Sequence, residues 1–267
     1  MKKVVLSYLV IAALVVSAAF TSCDNKDKEE EFDLDFDDDR EVQLIETLTR
    51  EKGHYFKWEY DSQGRITEFM EYENNKLSRT QTLTYSGDDL VKVTYSRFEE
   101  NADYEDFVYE FSKPENNEIF ISQHGDFVNY DYRIELNNNG CPVKIVLDDY
   151  NDRSYQYQGQ NLISLTHRST SLWWLEDYVR PTEFYKWEAA YDNMKSPILH
   201  CKTPKWFLVY EFYDFFGIHN HLNLFAVCNS INEVCETELG KWPSIPYEYN
   251  KGGYPVKGNG GTYRYKK

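Results

Sequence analysis

The sequence predicts a mainly β protein: an antiparallel meander of hairpins in one large sheet or open barrel-like arrangement, with a short helical insert near residues 204–217. Three observations carry this. Apolar and polar residues alternate with period two through most of the chain after Val42, as in strands with one buried face. Clusters of Asp, Asn and Gly interrupt the alternation at short intervals, and these residues tolerate the positive φ of tight hairpin turns. Aromatic residues make up 17% of the 267 residues, with 23 Tyr and 16 Phe, which suits strands and excludes a disordered chain.

The first element is not part of that sheet. Lys2 and Lys3 precede an uncharged apolar run from Val4 to Phe20, short for a membrane span but suited to a secretory signal. It ends in Phe20-Thr21-Ser22-Cys23, which resembles a bacterial lipobox with Phe in place of the more usual Leu. The resemblance implies that Cys23 is lipidated and becomes the mature N-terminus; the alternative is an ordinary signal cut near Ala18 and Ala19. Residues 24–41 follow with eleven acids against Lys26, Lys28 and Arg40, so self-repulsion predicts an extended tether. An acidic stretch after a lipidated Cys resembles the surface-export signal of Bacteroidota lipoproteins. Asp33, Asp35, Asp37, Asp38 and Asp39 lack the Gly and terminal Glu of a calcium loop, so a solvated spacer is expected. The layout is thus a signal at 1–22, a tether at 23–41 and one antiparallel β domain at 42–267.

Within the domain, His54, Phe56, Trp58 and Tyr60 alternate with Tyr55, Lys57 and Glu59. Leu77, Arg79, Gln81, Leu83 and Tyr85 share one face, opposite Ser78, Thr80, Thr82 and Thr84. Val91, Val93 and Tyr95, then Phe107, Tyr109 and Phe111, then Val128 to Leu136, then Val143, Ile145 and Leu147 continue the pattern. The turns repeat as well. Tyr60-Asp-Ser-Gln-Gly-Arg-Ile66 parallels Leu136-Asn-Asn-Asn-Gly-Cys-Pro-Val143 and Tyr249-Asn-Lys-Gly-Gly-Tyr-Pro-Val256, with shorter versions at Tyr85 to Leu90 and Tyr157 to Leu162. The unit is a strand end, an Asp or Asn turn with Gly, and a new strand, about one hairpin per repeat.

The Tyr-Asp-x-x-Gly-Arg-Ile pattern at 60–66 is similar to the YD (Rhs-type) repeat. The whole order of motifs resembles a Bacteroidota lipoprotein family of unknown function. The matching stretches are Asn139-Gly-Cys-Pro-Val-Lys-Ile145, Tyr191-Asp-Asn-Met-Lys-Ser-Pro197 and Tyr254-Pro-Val-Lys257. The resemblance covers nearly all of 42–267 and implies an extracytoplasmic, mainly β domain without an assigned activity.

One stretch departs from period two. Residues 206–217 are densely apolar between Pro204 and Gly217, good stop signals for a short helix. Phe207, Tyr210 and Asp214 fall on one helical stripe; a buried strand is the alternative.

Chemistry-bearing constellations are few. His219 and His221, with His200, Cys201, Cys228 and Cys235, invite a metal reading, but their spacings miss the usual zinc pairs, and no metal or other cofactor is expected. Cys141, Cys201, Cys228 and Cys235 permit two disulfides in three connectivities, Cys228 with Cys235 being the easiest local loop. Trp173, Trp174, Tyr185, Trp187 and Trp206 are the aromatics to watch for stacking on a sugar, while packing within the sheet explains most such rings. No nucleophile elbow, phosphate loop or metalloprotease motif occurs, so no enzyme is expected. A net charge of −16 makes the chain a poor candidate for binding nucleic acid, and no nucleic-acid partner is expected. What the sequence predicts is a lipid-anchored outer-membrane protein, exposed at the cell surface or facing the periplasm. Its role would be to bind a glycan, peptide or protein, or to serve as accessory to an outer-membrane complex; a hydrolase ranks third.

Overall fold

The computed structural model describes residues 42–50, 53–98, 107–125, 129–147, 151–159, 161–169, 183–214, 228–235, 246–258 and 261–266. All its strands belong to one compact unit, Phe36–Lys267. Cys23, the tether, Trp173, Trp174, His219 and His221 lie outside the described residues.

Among the described residues, sixteen strands form one sheet. The first six are β1 (Leu44–Arg50), β2 (Tyr55–Tyr60), β3 (Ile66–Glu73), β4 (Lys76–Ser86), β5 (Asp89–Arg97) and β6 (Phe107–Phe111). Next come β7 (Glu118–His124), β8 (Asn129–Leu136), β9 (Pro142–Val146), β10 (Asn151–Gln158) and β11 (Asn161–Ser169). β12 (Glu183–Lys195) is followed by the helix α1 (Lys205–Asp214), then β13 (Cys228–Cys235), β14 (Glu248–Tyr249), β15 (Pro255–Gly258) and β16 (Gly261–Lys266). From β1 to β13 each strand pairs antiparallel with the next, the meander that the alternation predicts, and α1 occupies the expected insert. The C-terminal strands then return to the start: β16 pairs with β1, so Leu48 lies opposite Tyr263 on one side and Phe56 on the other.

The sheet is not closed, because β13 and β14 end it without pairing to each other, yet it must roll. Laid flat, sixteen strands would hold their edges about 70 Å apart at ~4.8 Å spacing. The chain from Cys235 to Glu248 spans at most about 45 Å. A hydrogen bond from Lys195 N, at the end of β12, to Gly253 O, between β14 and β15, joins the two margins at 3.1 Å.

The inward face holds the core: Ile45, Leu48, Phe56, Trp58, Ile66, Phe69, Val93, Tyr95, Ile119, Ile121, Ile134, Ile145 and Leu165 are all buried. α1 fills it further. Trp206 to Tyr210 are buried without a break, so this helix has no polar side there, and Phe111 of β6 meets Trp206 and Phe207 at ring distances of 5.0 and 6.0 Å. The outward positions carry charge instead. Lys266 and Lys57 flank Glu59 at 2.6 Å each, Arg133 meets Glu135 at 3.1 Å, and Asp152 takes Arg168 at 2.5 Å and Lys144 at 3.8 Å. Such exposed pairs stabilise little, but they mark a face made for water. A membrane-spanning barrel has the opposite arrangement, apolar outside.

β13 also corrects one expectation. Cys228 and Cys235 are the two ends of an eight-residue strand, opposite Lys195 and Trp187. Extended backbone separates them by about 20 Å, far beyond disulfide reach. Cys141 and Cys201 are free thiols, and burial pushes both above the usual cysteine range.

Candidate functional site

Strand direction sorts the connections onto two ends of the sheet. One end receives the turns 61–65, 87–88, 112–117, 137–141, 159–160 and 250–254 and the connection 196–227 that carries α1; the other receives the short turns 51–54, 74–75, 125–128, 147–150 and 259–260 and the longer connections 98–106, 170–182 and 236–247.

The tight-turn end is a repeated device. Asp61 Oδ1 accepts from Gln63 N and Arg65 N at 2.9 and 3.0 Å. Asn137 Oδ1 accepts from Asn139 N and Cys141 N at 2.9 and 3.0 Å, and Asn250 Oδ1 from Gly252 N and Tyr254 N at 2.9 and 3.1 Å. Each turn passes through a glycine with positive φ: Gly64 at 83°, Gly140 at 73° and Gly253 at 80°. A tyrosine from the strand after next then locks each turn. Tyr85 OH donates to Ile66 O at 2.9 Å, Tyr157 OH to Pro142 O at 2.9 Å, and Tyr265 OH to Pro255 O at 2.7 Å. Burial pushes the Tyr85 and Tyr265 phenols well above their usual value, so they remain donors. The sequence repeat therefore has a physical content: a side-chain carbonyl or carboxylate organises the turn, and a neutral phenol two strands away holds its exit.

The segment between β12 and α1 straps this end. Lys202 N donates to Gly64 O at 2.9 Å. The buried Thr203 Oγ1 accepts from Ile66 N at 2.8 Å and lies 3.2 Å from Tyr85 OH. With Lys195 bonded to Gly253, one strap ties the first repeat turn to the last.

The long-connection end has a different chemistry on its inward face. Glu71 of β3 is buried among apolar neighbours, between His54 Nε2 at 2.7 Å and the Arg79 guanidinium of β4, which pairs with its other oxygen. His54 precedes β2 and is held there by Arg50 N donating to His54 O at 2.8 Å. The Arg50 guanidinium lies over the Phe56 ring at 5.5 Å; burial lowers its pKa, and Tyr263 and Glu71 partly offset that. Asn75 N donates to Gly53 O at 3.1 Å and clamps the β3–β4 turn to this corner. His54, Glu71 and Glu73 offer ligand atoms within 4.8 Å of one another. However, Arg79 already neutralises Glu71, and a divalent cation would sit against two guanidinium groups. The arrangement fits a buried ion-pair network, and no metal is assigned.

The aromatics singled out in the sequence separate. Trp206 is 5% exposed, enclosed by Phe111 and Phe207, and belongs to the core rather than to a stacking surface. Tyr185 and Trp187 lie near the start of β12, in register with His167 and Leu165 of β11. Trp173 and Trp174 lie outside the described residues, in the segment that joins β11 to β12. His200 and Cys201, set beside His219 and His221 in the metal reading, lie in the strap, with the His200 ring 6.1 Å from that of Tyr254. The Glu71 network was not singled out, although a signal exists: Glu71 and Arg79 both interrupt apolar inward faces at paired positions.

No protein-family model matches this chain, and neither does any curated protein. Among solved structures it is similar to a porin-like protein from Bacteroides uniformis, with 13% identity and a TM-score of 0.37 over 53% of this chain and 75% of that one. A likeness this distant carries no argument about role.

Proposed function

We propose that this chain is a lipid-anchored, outer-membrane protein that binds a glycan or protein ligand at the cell surface through the long-connection end of its sheet, without catalysis. The lipobox-like Phe20 to Cys23 and the acidic stretch behind it support the anchor and its export. One observation carries the binding role: the two ends of the sheet are built differently. The strap and three turns built on the same Asp or Asn acceptor occupy one end, while the strand ends that bound the connections 98–106, 170–182 and 236–247 lie at the other. Binding residues concentrate in loops carried by a rigid scaffold. The chain enters β1 at the tight-turn end, where Leu44 pairs with Lys266, so an anchor there leaves the opposite end free to meet a ligand. A second reading, an accessory to an outer-membrane complex, draws on β13, a terminal strand that pairs only with β12 among the described residues. Such edges accept added strands.

Protease shaving of intact cells tests the surface assignment, with a periplasmic lipoprotein as protected control. Loss of the domain while the control survives supports it; survival until the outer membrane is broken overturns it. Glycan and external-protein screens with the Trp173→Ala/Trp174→Ala variant then test the end: binding that is unchanged in the variant excludes those two rings as the platform.

A further inference from the structure

Beneath the strap, separate segments bring polar groups to one buried point. Tyr60 ends β2 just before the first repeat turn. Its hydroxyl is sealed from solvent and makes no hydrogen bond among the described residues. Burial first, then the neighbouring Cys201, Tyr265 and Glu59, push its phenol well above the usual tyrosine range, so it stays a neutral donor without an acceptor. Cys201 comes from the strap, where its thiol lies against the Thr203 hydroxyl and the Thr203 and Ile66 amides, and burial keeps it protonated. Tyr265 comes from β16 and donates to Pro255 O at 2.7 Å, which leaves its oxygen able to accept. The bonds around this point are otherwise made: Thr203 Oγ1 accepts from Ile66 N at 2.8 Å, and Lys202 N donates to Gly64 O at 2.9 Å. Tyr60 OH is the exception.

An unmet buried hydroxyl is costly, and folded proteins satisfy such groups with ordered water where the site is polar and offers several partners. We propose that one internal water sits here, accepting from Tyr60 OH and donating to the Tyr265 oxygen and the Cys201 sulfur. The groups that meet it are uncharged, which suits water and not an ion. The bridge joins the strand that enters the first repeat turn, the strap, and the strand whose phenol locks the last turn. It therefore belongs to the fastening of the strap, beside the direct bonds of Lys202 and Thr203. The water depends neither on lipidation nor on the ligand, so its failure leaves the surface reading standing.

A crystal structure that shows ordered solvent tests the position. Density within hydrogen-bond distance of Tyr60 OH and of Tyr265 OH or Cys201 Sγ is expected. A Tyr60 hydroxyl bonded directly to a protein group, or no density at the site, overturns the proposal. Native-state hydrogen exchange of the full-length chain and its Tyr60→Phe variant tests the role, since the variant keeps the ring and deletes only the hydroxyl. The Ile66 and Lys202 amides, whose bonds hold the strap, should exchange at least ~5-fold faster in the variant. The Leu147 amide, bonded to Asn151 O at 3.0 Å at the opposite end of the sheet, should change less. Unchanged or slower exchange at Ile66 and Lys202 would mark the hydroxyl as an unmet group whose removal brings relief, and the water falls with that result. Equal acceleration at Leu147 would overturn the fastening of the strap.

Discussion

The two ends of the sheet solve the same problem, holding strand ends together, with opposite chemistry. At the tight-turn end the bonds are local and repeated: Asp61, Asn137 and Asn250 each satisfy two amides within four residues. At the other end a buried network joins the elements instead, one carboxylate between a histidine and a guanidinium contributed by separate elements. The difference teaches where tolerance lies. A repeated device loses a fraction of its strength when one copy fails. A buried ion network fails as a unit, because removing one partner leaves uncompensated charge.

The strap and α1 bind both strategies to one core, so the largest effect should come from there. Phe207 is 1% exposed and meets Phe111 edge to face. Phe207→Ala is expected to cost about 4 kcal/mol of unfolding free energy in denaturant titration. If the ends were independent, only part of the transition would shift. A single shifted transition would show that they melt together.

Glu71→Ala comes next, at about 3 kcal/mol, since Arg79 and Arg50 would keep their charge near a buried cavity. Removing both sides in Glu71→Leu/Arg79→Leu should recover most of that loss, because a paired apolar replacement avoids the stranded charge. A double variant as unstable as the single one would deny that stranded charge is the cause.

Most of this comparison was legible in the sequence at one end and hidden at the other. Turn chemistry is local, so Asp61-Ser-Gln-Gly64 and its counterparts announce both the turn and its glycine within a few residues. The period-two alternation gave the inward faces, including Arg79 and Gln81 beside Leu83. The helix was legible from Pro204 and the dense apolar run, but its burial on all sides removed the amphipathic stripe that the spacing of Phe207, Tyr210 and Asp214 suggests. Non-local facts stayed out of reach. Nothing in 261–266 announces pairing with β1, and nothing in Thr203 announces a bond to Ile66 across 137 residues. The supposed Cys228–Cys235 loop failed for the same reason, since a short sequence separation says nothing about whether the chain between is extended.

Among the turns, Asp61 should matter most, because its carboxylate also binds Arg65 Nε at 2.7 Å. Burial pushes the Asp61 carboxyl up, but hydrogen bonds from the Arg65 amide and guanidinium and from the Gln63 amide outweigh it and hold the pKa below the usual value. A depressed carboxylate adds stability that is present above its unfolded pKa, about 4, and lost as pH falls through the lower folded value. Asp61→Asn, which keeps the turn acceptor, should therefore lose stability near neutral pH and narrow its gap to the parent as pH drops below about 4. Asn137→Ala and Asn250→Ala should cost about 1–2 kcal/mol each with no such pH dependence. Equal pH profiles for Asp61→Asn and the parent would separate the turn from its charge.

The smallest expected effects test whether the repeat is one device or three coincidences. Tyr85→Phe, Tyr157→Phe and Tyr265→Phe each delete a hydroxyl that donates to the carbonyl of the residue opening the strand after the turn. Each should cost about 1 kcal/mol, the usual net worth of one hydrogen bond. Tyr85 should cost the most, because its hydroxyl also meets Thr203 Oγ1 and so reaches the strap. Pairing each phenylalanine with loss of its own turn acceptor, for instance Tyr157→Phe with Asn137→Ala, should give a coupling near zero if phenol and acceptor hold separate halves of the turn. A double variant that loses less than the sum of its two single variants would mean that the phenol acts only on a turn its Asp or Asn has already shaped. In that case the three turns stand as single cooperative units, and the tight-turn end would share the all-or-none character of the Glu71 network.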